Sequence, residues 1–158
     1  MALVWRLIRP EFASALDGKG NIERGARWNS PGQGVVYASF NLSLCVLESL
    51  VQLSPPQRFN LPEMAAVKIE LPAEASVLEL TPGEWQSIAE DKAGAARRCR
   101  QIGDAWLAAK EHLILIAPSF LVPQERNVML NPAHSLMRRV KIISTELFKF
   151  DSRLALSR

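Results

Sequence analysis

The segment from Asn41 to Leu53 constrains the fold more than any other part of the sequence. Asn41 is a favourable N-cap, Pro55 and Pro56 should end the helix that follows it, and apolar side chains occupy most directions around its axis. We therefore expect a buried helix covered by other parts of the chain. Its single charged residue is Glu48. A carboxylate is rarely buried without a partner, so Glu48 belongs either to a structural ion pair or to a catalytic cleft.

The remaining apolar runs predict a mixed α+β fold in one domain, residues 1–158. Residues 84–110 have the pattern of one or two helices, broken near Gly94 or Gly103. The pattern does not fix the order of the strands. Strands are expected at residues 3–8, 34–39, 64–71, 76–80, 113–117, 127–130 and 139–150.

Charge and cysteine usage narrow the class of protein. The net charge is +3, but the cations are scattered among acidic residues, so we expect no direct binding of nucleic acid. The apolar run at residues 113–118 is far too short to span a membrane, and the N-terminus lacks the features of a signal peptide, so we expect a soluble cytoplasmic protein. Cys45 and Cys99 lack metal-ligand spacing and are expected as buried free thiols, with no metal site.

A polar stretch at residues 17–31 predicts a long loop that depends on tertiary contacts or on a ligand for its conformation. Its Arg27 offers a planar donor fork suited to phosphate, and its Trp28 could flank a ring. The glycine spacing matches neither the Walker A nor the Rossmann pattern. The alternative is an ordinary surface turn.

Two further polar residues adjoin predicted strands. Tyr37, the only tyrosine, lies eleven residues before Glu48, so a strand-turn-helix unit could bring both to one cleft; otherwise Tyr37 is a core aromatic. Ser119 follows a buried strand but lacks the G-x-S-x-G pattern. With His112 and His134 as the only histidines, a Ser-His-Asp triad has no support from spacing.

Taken together, these segments resemble the RES-domain family, which is named for its Arg, Glu and Ser residues. Each segment alone is weak evidence for the family. The resemblance rests on the order in which the segments follow one another along the chain. The matching segments are Trp5-Arg6, 25–29 with Gly32, 36–39, Leu47-Glu48, 102–107, Pro118-Ser119, Asn127, 131–134 and 150–154.

Three residues depart from the family pattern. Ala26 replaces a frequent second glycine, Trp5 a frequent tyrosine and Gln52 a frequent histidine. Ala26 puts the loop geometry in question, because a residue with a Cβ resists positive φ.

The resemblance implies a fold similar to ADP-ribosyltransferase toxins, with a cleft that binds NAD. It implies cleavage of the nicotinamide-ribose bond by hydrolysis or phosphorolysis, with NAD as substrate, phosphate as a possible co-substrate and no resident cofactor. Glu48 would stabilise the oxocarbenium-like transition state. Trp28 would lie among the NAD-binding residues.

The family roles carry over to five further positions. Arg6 and Arg27 would hold the pyrophosphate, and Tyr37 would stack on or orient the nicotinamide end. Ser119 would position ribose or nicotinamide. Asn131 is a weaker candidate, expected one layer further from NAD than these residues.

The resemblance also implies a partner. Members are usually encoded beside a small, helical, Xre-like antitoxin that covers the NAD cleft, which predicts a hetero-oligomer and allows a toxin dimer. Expression without the partner would arrest growth. Two alternatives remain open: transfer of ADP-ribose to a macromolecule, and a non-enzymatic module that binds nucleotides or partners.

Overall fold

In the computed structural model, which describes residues 2–156, seven strands form one mixed sheet in the order β4-β5-β6-β2-β1-β3-β7. Only the pair β4–β5 is parallel; the other five pairs are antiparallel. Every predicted strand is present, which confirms the α+β class. The strands are β1 (Ala2–Ile8), β2 (Val36–Ser39), β3 (Met64–Leu71), β4 (Val77–Glu79), β5 (Ile114–Pro118), β6 (Arg126–Leu130) and β7 (Lys141–Phe148).

Four α-helices lie within these residues: α1 (Leu42–Gln52), α2 (Pro55–Phe59), α3 (Pro82–Glu90) and α4 (Ala95–Ala109). The predicted break in the second helical region occurs at Gly94, the N-cap of α4, whereas Gly103 lies inside that helix. Pro55 and Pro56 end α1 as expected. They also begin α2, because a proline is well tolerated in the first turn of a helix.

Strand register assigns the side chains to two faces. Trp5 pairs with Ser39, and Ser39 with Asn127, so these three share one face, which we call the helical face. Here α3 and α4 pack through Ile88, Cys99 and Trp106 against Leu115 and Met129. The other face, called the loop face, is covered by segments that include Leu16, Leu136 and Met137.

Helix α1 differs from its prediction. Leu44, Cys45 and Leu50 are buried, but Leu47 is 43% exposed and Val51 57% exposed. The expectation of a buried helix is therefore wrong. An apolar pattern does not reveal on which sides a helix is covered, and within residues 2–156 the outer side of α1 remains open.

The long loop is confirmed as a loop, with one short 3-10 turn at Lys19–Asn21. Both cysteines are buried free thiols, as expected. No helix in residues 2–156 is long and apolar enough to cross a membrane.

Gly103 shows why this loop can lie against α4. A Cβ at position 103 would collide with the backbone carbonyl oxygen of Trp28. Only a glycine at this position therefore allows the helix and the loop to approach so closely.

We expect Gly103→Ala to destabilise the fold by about 1–3 kcal/mol through this overpacking. Gly83→Ala is the matched control, because an added Cβ meets nothing within 4 Å there. Urea unfolding of the two variants measures the difference. Equal free energies of unfolding in both variants would contradict the proposed close approach.

Candidate active site

Glu48 lies at the centre of a hydrogen-bonded cluster on the helical face. Its Oε1 accepts a hydrogen bond from Ser119 Oγ at 2.9 Å and another from Asn127 Nδ2 at 2.7 Å. Among the described residues, no hydrogen bond reaches Oε2 and no ion pair includes Glu48. The ion-pair alternative is thus not supported. One carboxylate oxygen is fixed, and the other has no hydrogen-bond partner among the described residues.

Ser119 is a fixed hydrogen-bond donor. Its side chain is fully buried just beyond β5, and its Oγ accepts from the backbone N–H of Leu121 at 3.0 Å and of Val122 at 3.1 Å. Because both lone pairs of the hydroxyl are engaged, its proton points to Glu48. Neither histidine is hydrogen-bonded to Ser119 in this structure: His134 Nδ1 instead accepts from the Leu136 N–H at 3.1 Å.

Tyr37 connects β2 to the long loop. Its hydroxyl accepts from the Trp28 N–H at 3.1 Å and donates to Asn29 Oδ1 at 2.8 Å. Burial raises the pKa of Tyr37 far above its ordinary value, so the hydroxyl stays protonated. The fully buried Asn29 in turn donates to the Gln33 carbonyl at 2.6 Å. The Tyr37 hydroxyl therefore holds the loop in place.

Helix α4 holds the same loop from its other side. Asp104 accepts from the Ser30 N–H at 2.9 Å and from the Ser30 hydroxyl at 2.6 Å, and Arg100 donates to the Ala26 carbonyl at 3.2 Å. The positive φ of this turn, 66°, falls on Gly25 and not on Ala26. Alanine at position 26 is therefore compatible with the loop conformation.

Arg27 brings a positive charge to the site. It is exposed at the surface of the loop, and its guanidinium carbon lies 4.1 Å from the centroid of the Phe120 ring. Phe120 follows Ser119, the residue that binds Glu48. Arg27 and Glu48 therefore contact consecutive residues of the β5–β6 connection. A cation and a carboxylate are both close to this segment.

Three other predicted residues lie outside the cluster. Trp28 is only 3% exposed and packs in the core with Cys99 and Trp106, contrary to the expectation that its indole would flank a bound ring. Asn131 is fully buried, donates to the Leu107 carbonyl at 3.1 Å and accepts from the Ala133 N–H at 3.0 Å. Its amide thus joins β6 to the end of α4.

Arg6, the third of these residues, projects from β1 on the loop face together with Val4, because Trp5 between them shares the face of Ser39. It is 5% exposed and donates to the Ala15 carbonyl at 2.7 Å. Burial lowers the pKa of Arg6 to about 10. The structure does not bring Arg6 to Glu48, and its contact with pyrophosphate stays a prediction.

Ser39, Asp104, Phe120 and Asn127 contribute to the site but were not chosen from the sequence. Asn127 offered two signals, because it matches the family pattern and is a polar residue at the start of an apolar strand. Its position next to Glu48 depends on the pairing of β2 with β6, which pattern alone does not supply.

The site lies where the two halves of the sheet meet. β1 and β2 are joined by one register pair, Trp5 with Ser39. Comparison with known proteins identifies this architecture, because a model of the RES domain matches residues 3–151. The chain belongs to the RES-domain family.

Individual relatives agree with the family model. A "Toxin Res" of Yersinia enterocolitica is 31% identical, and the match covers 96% of this chain and 99% of that protein. A "Prs ADP-ribosylating toxin" of a Sphingobium strain is 32% identical, with 95% and 94% coverage. A chain of the solved MbcT-MbcA toxin-antitoxin complex of M. tuberculosis superposes with a TM-score of 0.70 at 15% identity, covering 93% of this chain and 84% of that one. This last match shows a shared fold.

We expect Tyr37→Phe to release the loop locally, because the Trp28 N–H loses its acceptor and the buried Asn29 Oδ1 loses its donor. Amide exchange followed by NMR should show faster exchange at Trp28. The Ser30 amide is the internal control, because its acceptor is Asp104. Unchanged protection at Trp28 would exclude this role for the Tyr37 hydroxyl.

Proposed function

We propose that this protein is the toxin of a toxin-antitoxin pair and that it cleaves the bond between nicotinamide and ribose in NAD. The observation that carries the proposal is the Glu48 carboxylate, which is held through Oε1 by two donors while Oε2 remains open. A fixed negative charge of this kind stabilises a developing oxocarbenium ion. The name of the Sphingobium relative, an ADP-ribosylating toxin, supports a reaction of the same class, and the name of the Yersinia relative supports the role of a toxin.

The reaction needs few groups from the protein. The bond between ribose C1′ and the nicotinamide nitrogen breaks, and its electron pair leaves with nicotinamide. An oxygen of water or phosphate then bonds to C1′ and releases its proton to solvent. Glu48 stabilises the positive charge on the ribose between these events, and Ser119 keeps the carboxylate in place.

Arg27 is the group best placed to bind the pyrophosphate. It is exposed, its guanidinium lies over the Phe120 ring, and a planar guanidinium is suited to binding phosphate oxygens. Tyr37 lies on the same face of β2 as Ser39, and its hydroxyl holds the loop that carries Arg27. We assign Tyr37 to the nicotinamide end of the cleft through its half-buried ring.

Purified protein should release nicotinamide from NAD, and Glu48→Gln should lower the rate by about 10²- to 10³-fold, because one electrostatic contact to the transition state is lost. Glu125→Gln is the matched control, since the Glu125 carboxylate also accepts from a side-chain amide, that of Asn41 at 2.6 Å, but makes no hydrogen bond to the side chains of Glu48, Ser119 or Asn127. Mass spectrometry with and without phosphate separates ADP-ribose from its phosphate ester. Absence of nicotinamide in both conditions would refute the proposal.

Transfer of ADP-ribose to a macromolecule is the second candidate, favoured by the name of the Sphingobium relative. It uses the same bond cleavage with a different acceptor. NAD labelled in the adenine ring distinguishes the two. Label retained on protein or nucleic acid after denaturation supports transfer, whereas label recovered as a small molecule supports degradation.

An antitoxin would cover the open side of α1. Leu47 and Val51 form an exposed apolar pair one helical turn apart, and Leu47 directly precedes Glu48 in the sequence. Exposed apolar groups of this kind are typical of protein interfaces. The solved complex of the structural relative is itself a toxin-antitoxin complex. We therefore assign this surface to a small helical partner that closes the cleft.

Val51→Asp should abolish neutralisation of the toxin by its antitoxin, because a charge replaces an apolar contact. NAD cleavage by the variant should stay intact. Val77→Asp is the control, since Val77 is 44% exposed but lies on β4, an edge strand on another part of the sheet. Growth after co-expression is the measurement. Rescue of both variants alike would place the partner elsewhere.

A further inference from the structure

Asn127 joins two parts of the site. It lies in β6 directly opposite Ser39 in β2. Its Nδ2 donates to Glu48 Oε1 at 2.7 Å, and its Oδ1 accepts from Ser39 Oγ at 3.0 Å. The side-chain amide therefore connects a buried hydroxyl to the carboxylate assigned to catalysis.

The two ends of this amide are not interchangeable. A carboxylate only accepts hydrogen bonds, so Glu48 requires the NH₂ end. Turning the amide by half a turn would place Oδ1 against Glu48 Oε1, and two acceptors would repel. Ser39 is 2% exposed and supplies the proton that favours the correct orientation. Water has little access to compete for that bond.

Ser119 and Asn127 act on the same oxygen. Both donate to Oε1, from the ends of neighbouring strands β5 and β6. Two donors from different elements fix the rotation of the carboxylate about its last bond more tightly than one donor does. Oε2 is then directed by the sheet and not by the flexible Glu48 side chain.

We propose that Asn127 is a positioning residue for Glu48 and that Ser39 sets the orientation of the Asn127 amide. The consequence for catalysis rests on the proposed NAD cleavage, since only then does the direction of Oε2 toward ribose C1′ affect the rate. The relay from Ser39 through Asn127 to Glu48 exists whatever the substrate is.

NMR of the ¹⁵N-labelled protein tests the relay without reference to activity. The Asn127 NH₂ signals should carry one proton shifted downfield by the charged acceptor. Glu48→Gln should reduce that shift, because a neutral acceptor binds more weakly, and Ser39→Ala should broaden or move the same signals. Asn41→Ala removes a comparable amide-carboxylate bond, to Glu125, and should leave them unchanged. Asn127 signals that respond to neither Glu48→Gln nor Ser39→Ala overturn the inference.

Kinetics test the consequence. Asn127→Ala should lower kcat by about 10²-fold, as expected when a reacting group is misplaced by about an ångström, with a smaller change in KM for NAD. Ser39→Ala should lower kcat less, and Asn41→Ala should not lower it.

The decisive variant combines Asn127→Ala with Glu48→Gln. If Asn127 acts through Glu48, the double variant loses no more activity than Glu48→Gln alone. Additive losses would mean that Asn127 acts elsewhere and would overturn the inference while leaving NAD cleavage established. If the wild type released no nicotinamide, the proposed function would fail, and the NMR signals would still decide the relay.

Discussion

The pairing of β2 with β6 determines where the polar groups of the site lie. β2 has four residues, and its register sets Ser39 opposite Asn127 and Tyr37 opposite Met129. Because side chains alternate between faces, a shift by one residue would move Ser39 and Tyr37 to the loop face, among the apolar side chains that cover it. Burial of Val36 and Ala38 in that core opposes such a shift. The apolar face of β2 therefore fixes the position of its polar face.

The loop before β2 depends on this arrangement. Residues 17–31 have almost no regular structure of their own, and their conformation comes from the Tyr37 hydroxyl, the buried Asn29 amide and the Asp104 carboxylate. The side chain of Trp28 enters the core between α4 and the sheet, which leaves its neighbour Arg27 at the surface. Because Trp28 is held in the core, its exposed neighbour Arg27 lies against the Phe120 ring.

Local signals sufficed for much of the fold. Alternation and turn residues predicted every strand, and of the two candidates for the break between α3 and α4 Gly94 was correct and Gly103 was not. Glu48 stands out from its position on an apolar helix, whereas the roles expected of Tyr37 and Ser119 came from the resemblance to the RES-domain family. The contact between Asn127 and Glu48 could not be predicted, because it joins residues 79 positions apart through a strand order that no local pattern contains. The burial of Trp28 could not be predicted for a related reason, since a Trp in a polar loop has the same sequence pattern whether its ring faces a ligand or the core.

Helix α1 shows how one pattern can serve two purposes. An apolar surface all around a helix indicates burial, but it does not say whether the covering surface belongs to the same chain. Here the inner side, with Leu44, Cys45 and Leu50, packs against the domain, and Cys45 donates to the Trp5 carbonyl at 3.1 Å. The outer side, with Leu47 and Val51, is left open. An exposed apolar side chain carries a free-energy cost in water, and a partner that covers this surface would remove that cost while lying against the residue next to Glu48. The same helix would then hold the carboxylate proposed for catalysis on one side and the surface bound by the inhibitor on the other.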